Sequence, residues 1–442
     1  MIFKLHPIST KALAVRVFGH PSLDRAMLMI GILLIAALLS PAHAMSFSAL
    51  PDWLEIEAQL EIEVTREQNF DLAPPPSETL HVLRPELQLA TSIRPGPGID
   101  GFLLLELAHA FDLQDETDND ELTHAEITVK EAFITITGQA LLRIPLSIQV
   151  GRQSLEDERE WWYDDELDAI RLIFHVSRFR LEATLARFAL YDEDLANSQG
   201  ADDTDFYHLY AQYAFGSFFT LAAYGLIQDD NKPEGERPAF LGLRVSGVVE
   251  PGLRYWLDAA HVRGKSEGQR LRGWGLDVGF LYTFDLVTQP LLMFSYAFGS
   301  GDDTPESSTN TGFRQTGLQG NSASYESVTD IQYYGELLDP ELSNLHIFTA
   351  GLGFRPFEEA SVTVLYHIYR QHTPSDELRD VAIDAEPTGL SPDVGREVDV
   401  VGGWAPDPFE LKLIFGAFFP GNAFEPEAQN AFFAECRLTV EF

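Results

Sequence analysis

Residues 432–442 read Phe-Phe-Ala-Glu-Cys-Arg-Leu-Thr-Val-Glu-Phe, and their apolar and polar side chains alternate. Leu438 and Val440 fall on one face of a β-strand, whereas Arg437 and Thr439 fall on the other. A strand of about ten residues with one apolar face and one wet face is typical of a transmembrane β-barrel. A soluble sheet protein can also end on such a strand, so the fold class depends on whether the pattern recurs.

The same alternation recurs along the chain. In residues 54–65 four glutamates share one face of a strand, whereas a helix would place glutamates on every side. The pattern predicts eighteen strands, near residues 54–65, 80–94, 102–111, 126–137, 143–151, 168–175, 178–190, 206–215, 218–227, 239–248, 252–263, 272–284, 290–299, 342–355, 360–370, 398–405, 409–419 and 430–442.

Short and long connections between these strands alternate. Tight connections are predicted at 138–142, 175–177, 216–217, 250–251, 287–289, 356–359 and 405–408. Long, acidic connections are predicted at 112–121, 151–167, 192–205, 228–238, 300–340 and 371–397. A barrel with both termini in the periplasm needs this alternation, and a β-sandwich does not. We therefore predict an all-β fold, a single transmembrane antiparallel up-and-down β-barrel of about 18 strands.

The start of the chain has the order of a secretory signal. Four basic residues precede an uncharged apolar run from Ala26 to Leu39, and a small-residue site follows at residues 42–44. That run is too short to span a bilayer comfortably as a helix. We expect a cleaved signal peptide at residues 1–44 and one barrel domain at residues 45–442. Cys436 is the only cysteine, so no intrachain disulfide can form.

Acidic residues far outnumber basic ones. The chain has 68 Asp and Glu against 30 Lys and Arg, which gives a formal net charge of −38. This charge argues against nucleic acid as a partner, because nucleic-acid phosphates attract the opposite sign. The mean hydropathy of −0.07 fits a barrel, since half of each strand faces water.

Aromatic residues make up 12% of the chain and often fall near predicted strand ends, at Trp161, Trp162, Tyr163, Tyr333, Tyr334, Trp404, Phe418 and Phe419. We expect an interfacial aromatic girdle, and the alternative for Trp161 and Trp162 is a sugar-stacking platform in the lumen. The acidic runs are expected to be solvated loops, with calcium bridging to lipid phosphates as their alternative.

No motif supports catalysis, a cofactor or a metal site. The 12 histidines are scattered, and the sequence has no HExxH, no glycine-rich phosphate loop and no GxSxG. A barrel-borne hydrolase is the less favoured hypothesis, and we expect a protein that is not an enzyme and has no cofactor.

Seven stretches, in order over most of the mature chain, resemble the alginate-export family of outer-membrane barrels. They are residues 150–153, 313–321, 334–336, 341–345, 365–367, 395–400 and 419–424. The resemblance implies an exporter that passes an acidic exopolysaccharide from the periplasm to the exterior. It implies as partners that exopolysaccharide, the outer-membrane lipid and periplasmic secretion proteins.

The resemblance also implies a lumen constriction whose basic side chains attract uronate carboxylates. The matching positions are Glu61, Arg84, Lys130, Ser154, Ser322, Asp330 and Lys412. Strand alternation independently faces Glu61, Arg84, Lys130 and Lys412 into the lumen. Three of the seven positions are basic and two are acidic. The loop and the turn that gate family members look short here, at 112–121 and 405–408.

Two functions stay open. In the first, the barrel is a secretion channel for a linear polysaccharide, and Arg84, Lys130 and Lys412 provide weak, exchangeable contacts during passive conduction. In the second, it is an uptake porin for small, cationic solutes, as the many acids suggest. A purely structural barrel is the third alternative.

Overall fold

The structure is a computed structural model that describes residues 50–75, 79–113, 125–138, 143–187, 204–232, 235–249, 252–266, 268–304 and 306–442. The signal peptide expected at residues 1–44 lies outside the described residues. Within these ranges, no helix combines the length and the apolar character needed to cross a membrane.

The described residues form 22 strands. In chain order they are β1 (Leu54–Gln68), β2 (Thr79–Gly96), β3 (Ile99–His109), β4 (Phe111–Asp112), β5 (Ala125–Thr137), β6 (Leu146–Glu156), β7 (Asp164–Val176), β8 (Phe179–Arg187), β9 (Thr204–Gly216), β10 (Phe219–Asp230), β11 (Arg237–Val249), β12 (Leu253–Ser266), β13 (Gln269–Thr283), β14 (Leu291–Gly299), β15 (Thr309–Asn310), β16 (Ser322–Ala323), β17 (Ile331–Gln332), β18 (Leu345–Phe357), β19 (Ala360–Gln371), β20 (Asp393–Trp404), β21 (Phe409–Pro420) and β22 (Ala431–Glu441).

Eighteen of these strands form the wall of a closed barrel. Each long strand pairs antiparallel with the next one along the chain, and β1 pairs with β22 to close the sheet. The two-residue strands β4 and β15 extend the wall, whereas β16 and β17 form a separate hairpin. Closure leaves none of the long described strands at a sheet edge, which is the condition for a β-structure to exist in lipid. The predicted 18-stranded antiparallel barrel is confirmed.

The pairing at the closure confirms the alternation of the last strand. Leu438 lies between Ile62 of β1 and Leu411 of β21, so three apolar side chains share the outer face. The next residue, Thr439, lies opposite Glu61 on the lumen face, and its hydroxyl donates a hydrogen bond of 3.2 Å to the Glu61 carboxylate. A shift of one residue would exchange these two environments.

Strands β6 and β7 are longer than the sequence pattern predicts. Arg152 and Asp168 are cross-strand partners, and the guanidinium donates to both carboxylate oxygens, at 3.1 and 3.0 Å. This buried bidentate pair joins β6 to β7 within a polar stretch of sequence that shows no alternation of apolar residues. The two strands therefore extend further than the alternation indicates. The connection predicted at 151–167 is therefore only residues 157–163. The four-residue turn at 405–408 is confirmed between β20 and β21, and most of the connection predicted at 112–121 lies outside the described residues.

Residues 311–344 of the connection between β14 and β18 fold into the barrel, so the prediction of an external, solvated loop is wrong for this segment. We call residues 311–344 the inner loop. Its Leu337, Leu338 and Leu342 are all fully buried. At its far end, Arg254 at the start of β12 lies 2.6 Å from the Glu326 carboxylate. The inner loop therefore runs from the end of the barrel with long connections to the end with short turns. Its apolar and aromatic side chains explain this position, since a solvated loop would leave them in water.

Candidate functional site in the barrel lumen

Charged side chains line the lumen where β1 meets β22. Cross-strand partners place four residues in one row across β2, β1, β22 and β21, which we call the basic row: Arg84, Glu63, Arg437 and Lys412. The next inward-facing positions towards the chain termini form the acidic row: Glu86, Glu61, Thr439 and Glu410. The two rows are about 7 Å apart along each strand. A solute that follows this wall meets both signs of charge within a short distance.

Arg437 is a lumen base that the resemblance did not point to. Its guanidinium lies 2.7 Å from the Glu63 carboxylate, 3.4 Å from that of Glu61 and 3.2 Å from that of Glu435. The alternation of residues 432–442 already placed it on the wet face of the last strand. That pattern is the signal by which it could have been found.

Two of the predicted bases are matched by acids. Arg84 lies 3.6 Å from Glu106 and 3.8 Å from Glu86, and it remains about a quarter exposed. Lys130 occupies a bulge of β5 and lies 3.5 Å from the carboxylate of Glu166 on β7. These carboxylates reduce the net positive charge that either base presents to a passing anion.

Lys412 is the lumen base with the least direct neutralisation. Among the described residues, no carboxylate lies within the 4.0 Å of a salt bridge to its ammonium group. Glu336, Glu410 and Glu435 interact with it electrostatically from further away. Its ammonium group therefore keeps its hydrogen-bonding capacity for a solute.

The remaining predicted positions divide between the wall and the inner loop. The Ser154 backbone N–H on β6 donates to the Glu131 carboxylate at 3.1 Å. Ser322 is buried in the β16–β17 hairpin, and Asp330 directly precedes β17. The structure thus places Glu61, Arg84, Lys130, Ser154 and Lys412 on the wall, and Ser322 and Asp330 on the inner loop. The two groups are brought close at Gly403, the cross-strand partner of Lys412. A Cβ there would lie 2.6 Å from the Val328 side chain of the inner loop.

A buried arginine ties three parts of the lumen together. Arg159, in the β6–β7 connection, lies 2.7 Å from Asp258 on β12 and 3.2 Å from Asp277 on β13. Its Nε also donates to the Tyr325 hydroxyl at the tip of the inner loop, at 3.0 Å. All four side chains are at least nine-tenths buried. Charge-assisted bonds of this kind hold the inner loop against β12 and β13.

A second anchor lies on β20. The Glu397 carboxylate accepts hydrogen bonds from the backbone N–H groups of Leu337 and Leu338, at 2.8 and 3.1 Å. The Tyr369 hydroxyl donates to the same carboxylate at 3.0 Å. Every group is fully buried, so loss of the carboxylate would leave two backbone donors without partners.

The aromatic side chains near strand ends form two groups, one buried inside the barrel and one exposed. Trp161 and Trp162 are 0% and 2% exposed, and the Trp161 Nε1 donates to the Tyr334 hydroxyl at 2.8 Å. Both proposals for this pair, a membrane girdle and a sugar-stacking platform, are therefore wrong, because Trp161 packs against Phe313 of the inner loop and Trp162 against Tyr224 and Phe240 of the wall. Tyr163, Tyr333, Tyr334 and Phe418 are buried as well. Trp404 and Phe419 are 44% and 41% exposed, as girdle residues would be.

In the described part of the chain, no three His, Cys, Asp or Glu side chains are grouped so that they could hold a metal ion.

A closed 18-stranded barrel with an apolar outer face and a charged lumen defines the class of outer-membrane β-barrel channels. Solved structures share this fold. The crystal structure of Pseudomonas aeruginosa OccK9 (OpdG) matches with a TM-score of 0.60 and 13% identity, over 88% of this chain and 98% of that one. This likeness shows the fold alone.

The chain belongs to the alginate export family, whose model matches residues 52–433. It is similar to the alginate production protein AlgE of Azotobacter vinelandii, with 23% identity over 64% of this chain and 70% of that protein. It is also similar to AlgE of Pseudomonas aeruginosa, with 23% identity over 70% of this chain and 72% of that protein. The family resemblance is confirmed, and the protein is a transporter-type barrel of the bacterial outer membrane.

Proposed function

We propose that the protein is a channel through which an acidic, alginate-like exopolysaccharide leaves the periplasm by passive conduction. The family and the names of the AlgE relatives support this substrate class. The observation that carries the proposal is the basic row, in which Lys412 stands beside Arg437 without a salt bridge of its own among the described residues. A carboxylate of the polymer can form a salt bridge with the Lys412 ammonium group.

We infer that the polymer passes along the basic row, on strands that carry none of the inner-loop anchors described above. The anchors of the inner loop described above are on β12, β13, β19 and β20, whereas the basic row lies on β1, β2, β21 and β22. The acids Glu63 and Glu86 flank the bases on the wall. They weaken each carboxylate contact, and conduction needs binding that is favourable but weak and repeated.

The test is current through single channels in planar bilayers with added polyuronate. Lys412→Glu should shift the reversal potential towards cations and weaken block by polyuronate, whereas Asp330→Arg should strengthen block. Opposite charges about 4 Å apart interact by about 4 kcal/mol at an effective dielectric constant of 20. Reversing the charge of one side chain should therefore have a measurable effect on block and on ion selectivity. Lys232→Glu is the matched control, because the Lys232 side chain is 69% exposed and lies in the β10–β11 connection.

The acids of the lumen favour one competing function, an uptake porin for small, cationic solutes. The acidic row carries three carboxylates and no base, and elsewhere on the wall Glu106 lies beside Arg84 and Glu166 beside Lys130. Wild-type channels that select strongly for cations and ignore polyuronate at every concentration would reject acidic-polymer export, and the uptake porin or export of a neutral polymer would then be the leading function.

Export to the outer membrane requires the signal peptide to be removed. We propose cleavage after Ala44, which leaves residues 45–442 as the barrel domain. Sequencing of the N-terminus of the membrane-bound protein checks this position.

A further inference from the structure

Basic side chains lie in register on the outer face of β11, β12 and β13. Cross-strand partners place Arg237, Lys265 and Arg270 in one row, and Arg263 beside Arg272 in the next. All five are exposed. Their neighbours along the strands, such as Val262 and Leu271, are buried towards the lumen. The bases therefore point away from the lumen, near the end of the barrel that carries the long connections.

Four of these bases have no salt bridge within 4.0 Å among the described residues, and we call them the basic patch: Arg263, Lys265, Arg270 and Arg272. Arg237 differs, because its Nε lies 2.7 Å from the Asp229 carboxylate. Like charges directly opposite one another destabilise a sheet. A bound anion would remove this repulsion. Composition does not explain the patch, since the chain has more than two acids for every base.

The outer face below the basic patch changes from aromatic to apolar. His261 and Trp274, the cross-strand pair adjacent to Arg263 and Arg272, stack with ring centroids 4.1 Å apart. Leu241 is the partner of His261 on β11. Charge, then aromatic rings, then aliphatic side chains is the order expected where a barrel crosses from headgroups into hydrocarbon.

An apolar groove opens beside Arg263. It has a volume of about 510 Å³ and is lined by outward side chains of β7 to β11, among them Leu185, Leu209, Ile227 and Leu241. Gly225, Ala183 and Ala239 also line it, and their small size creates the depression. Arg263 stands at its rim. One surface thus combines unpaired cations with room for an aliphatic chain.

We propose that this surface binds a phosphorylated glycolipid of the outer leaflet. The basic patch contacts the phosphate groups of the headgroup, and one acyl chain lies in the groove. Guanidinium groups match phosphate oxygens in a bidentate geometry, which favours phosphate over a simple carboxylate. Long connections face the exterior in outer-membrane barrels, so the patch lies at the level of outer-leaflet headgroups. Charge and groove together select a lipid rather than a free anion.

The test is native mass spectrometry of the detergent-solubilised barrel titrated with bisphosphorylated lipid A. Arg263→Gln/Arg272→Gln should lower the affinity by about thirtyfold, since each base near a headgroup is worth about 1 kcal/mol. The control is Arg370→Gln/Arg396→Gln, which removes two exposed bases from the outer face of β19 and β20 and should leave binding unchanged. Both variants should migrate as folded barrels, because the substituted side chains are exposed.

Two further measurements distinguish binding of a lipid from binding of a free anion. Ala239→Phe narrows the groove and leaves every base in place, so it should weaken binding of lipid A. Inorganic phosphate at the same concentration should not displace the lipid. Equal affinity of the wild type and Arg263→Gln/Arg272→Gln would overturn the proposal, and so would equal affinity for lipid A without phosphates. Displacement by inorganic phosphate with no effect of Ala239→Phe would also overturn it.

Discussion

At the residue scale, position in the strand register decides whether a side chain of β22 meets lipid or water. Leu438 lies between Ile62 and Leu411 on the outer face, and Thr439 bonds to Glu61 in the lumen. The two positions are adjacent in the chain, so the same new side chain can be placed in hydrocarbon or in the channel.

Leu438→Arg should therefore impair folding, because an arginine that faces lipid costs about 2–4 kcal/mol near the midplane. Thr439→Arg should fold normally, because the new guanidinium lies beside the Glu61 carboxylate. The measurement is the yield of heat-modifiable barrel after refolding into detergent. Equal yields from the two variants would contradict the register.

We expect Glu160 to make the contact between the β6–β7 connection and the inner loop sensitive to pH. Its backbone oxygen accepts hydrogen bonds from Gly320 and Asn321 of the inner loop. Burial, and then the neighbouring Asp164 carboxylate, raise the pKa of Glu160 above the ordinary value. When the pKa of a carboxyl group is higher in the folded protein than in the unfolded chain, its protonated form stabilises the folded contact fully at pH values below the unfolded-state pKa. This stabilisation is lost as the pH rises through the folded-state pKa.

Alkaline pH should therefore loosen the contact between Glu160 and the inner loop, because the carboxylate forms next to Asp164. Glu160→Gln copies the neutral carboxyl group and should remove this pH dependence. Acrylamide quenching of tryptophan fluorescence reports the change, since Trp161 is the next residue. Glu158→Gln is the control, as Glu158 is exposed in the same connection. Identical pH profiles for the wild type and Glu160→Gln would reject this role.

At the scale of elements, the inner loop depends on a few buried polar anchors. Arg159 contacts Asp258, Asp277 and Tyr325 at once. Glu397 holds two consecutive backbone N–H groups of the loop. Buried groups of this kind are costly when one partner is removed, because the others remain desolvated.

Arg159→Met should release the inner loop from β12 and β13 without opening the barrel wall. Removal of one partner from a buried ion pair costs about 3–5 kcal/mol. Faster hydrogen exchange in the inner loop, residues 311–344, and a larger single-channel conductance are the expected results. Arg94→Met is the control, because the Arg94–Glu55 pair is exposed and such pairs contribute about 0–1 kcal/mol. Unchanged exchange in the loop would show that Arg159 does not hold it.

At the scale of the whole molecule, stability in lipid comes from closure. Pairing of β1 with β22 joins residues almost 380 positions apart and removes the last sheet edge. Away from the charged residues near its rims, the outer face is then mainly apolar, with side chains such as Leu185, Leu209 and Leu243 more than half exposed. Such a surface is compatible with hydrocarbon and not with water.

The purified protein should therefore require detergent, give a mainly β circular dichroism spectrum and show a heat-modifiable band in gels. Deletion of residues 431–442 removes β22 and should abolish the band shift, because β1 and β21 then have open edges. A protein that stays soluble without detergent after removal of residues 1–44 would contradict the membrane barrel.

The sequence by itself determined the wall of the barrel. Alternation with a period of two is a local property, so residues 54–65 and 432–442 each show which of their side chains face lipid. The length of each connection is also a local property of the sequence. The alternation of short and long connections predicted that successive strands run antiparallel, with the long connections at one end of the barrel. The same alternation predicted inward positions for Glu61, Arg84, Lys130 and Lys412, whose part in substrate conduction stays a prediction.

Tertiary structure alone decided what fills the lumen. Nothing near residues 311–344 shows that their apolar side chains pack inside the barrel, because their partners Arg159, Asp277 and Glu397 lie in other parts of the chain. The basic row likewise joins Arg84 to Arg437 and Lys412, which are neighbours only after β22 has paired with β1. Local patterns fix which face a side chain occupies, whereas contacts between distant strands exist only once the sheet has closed.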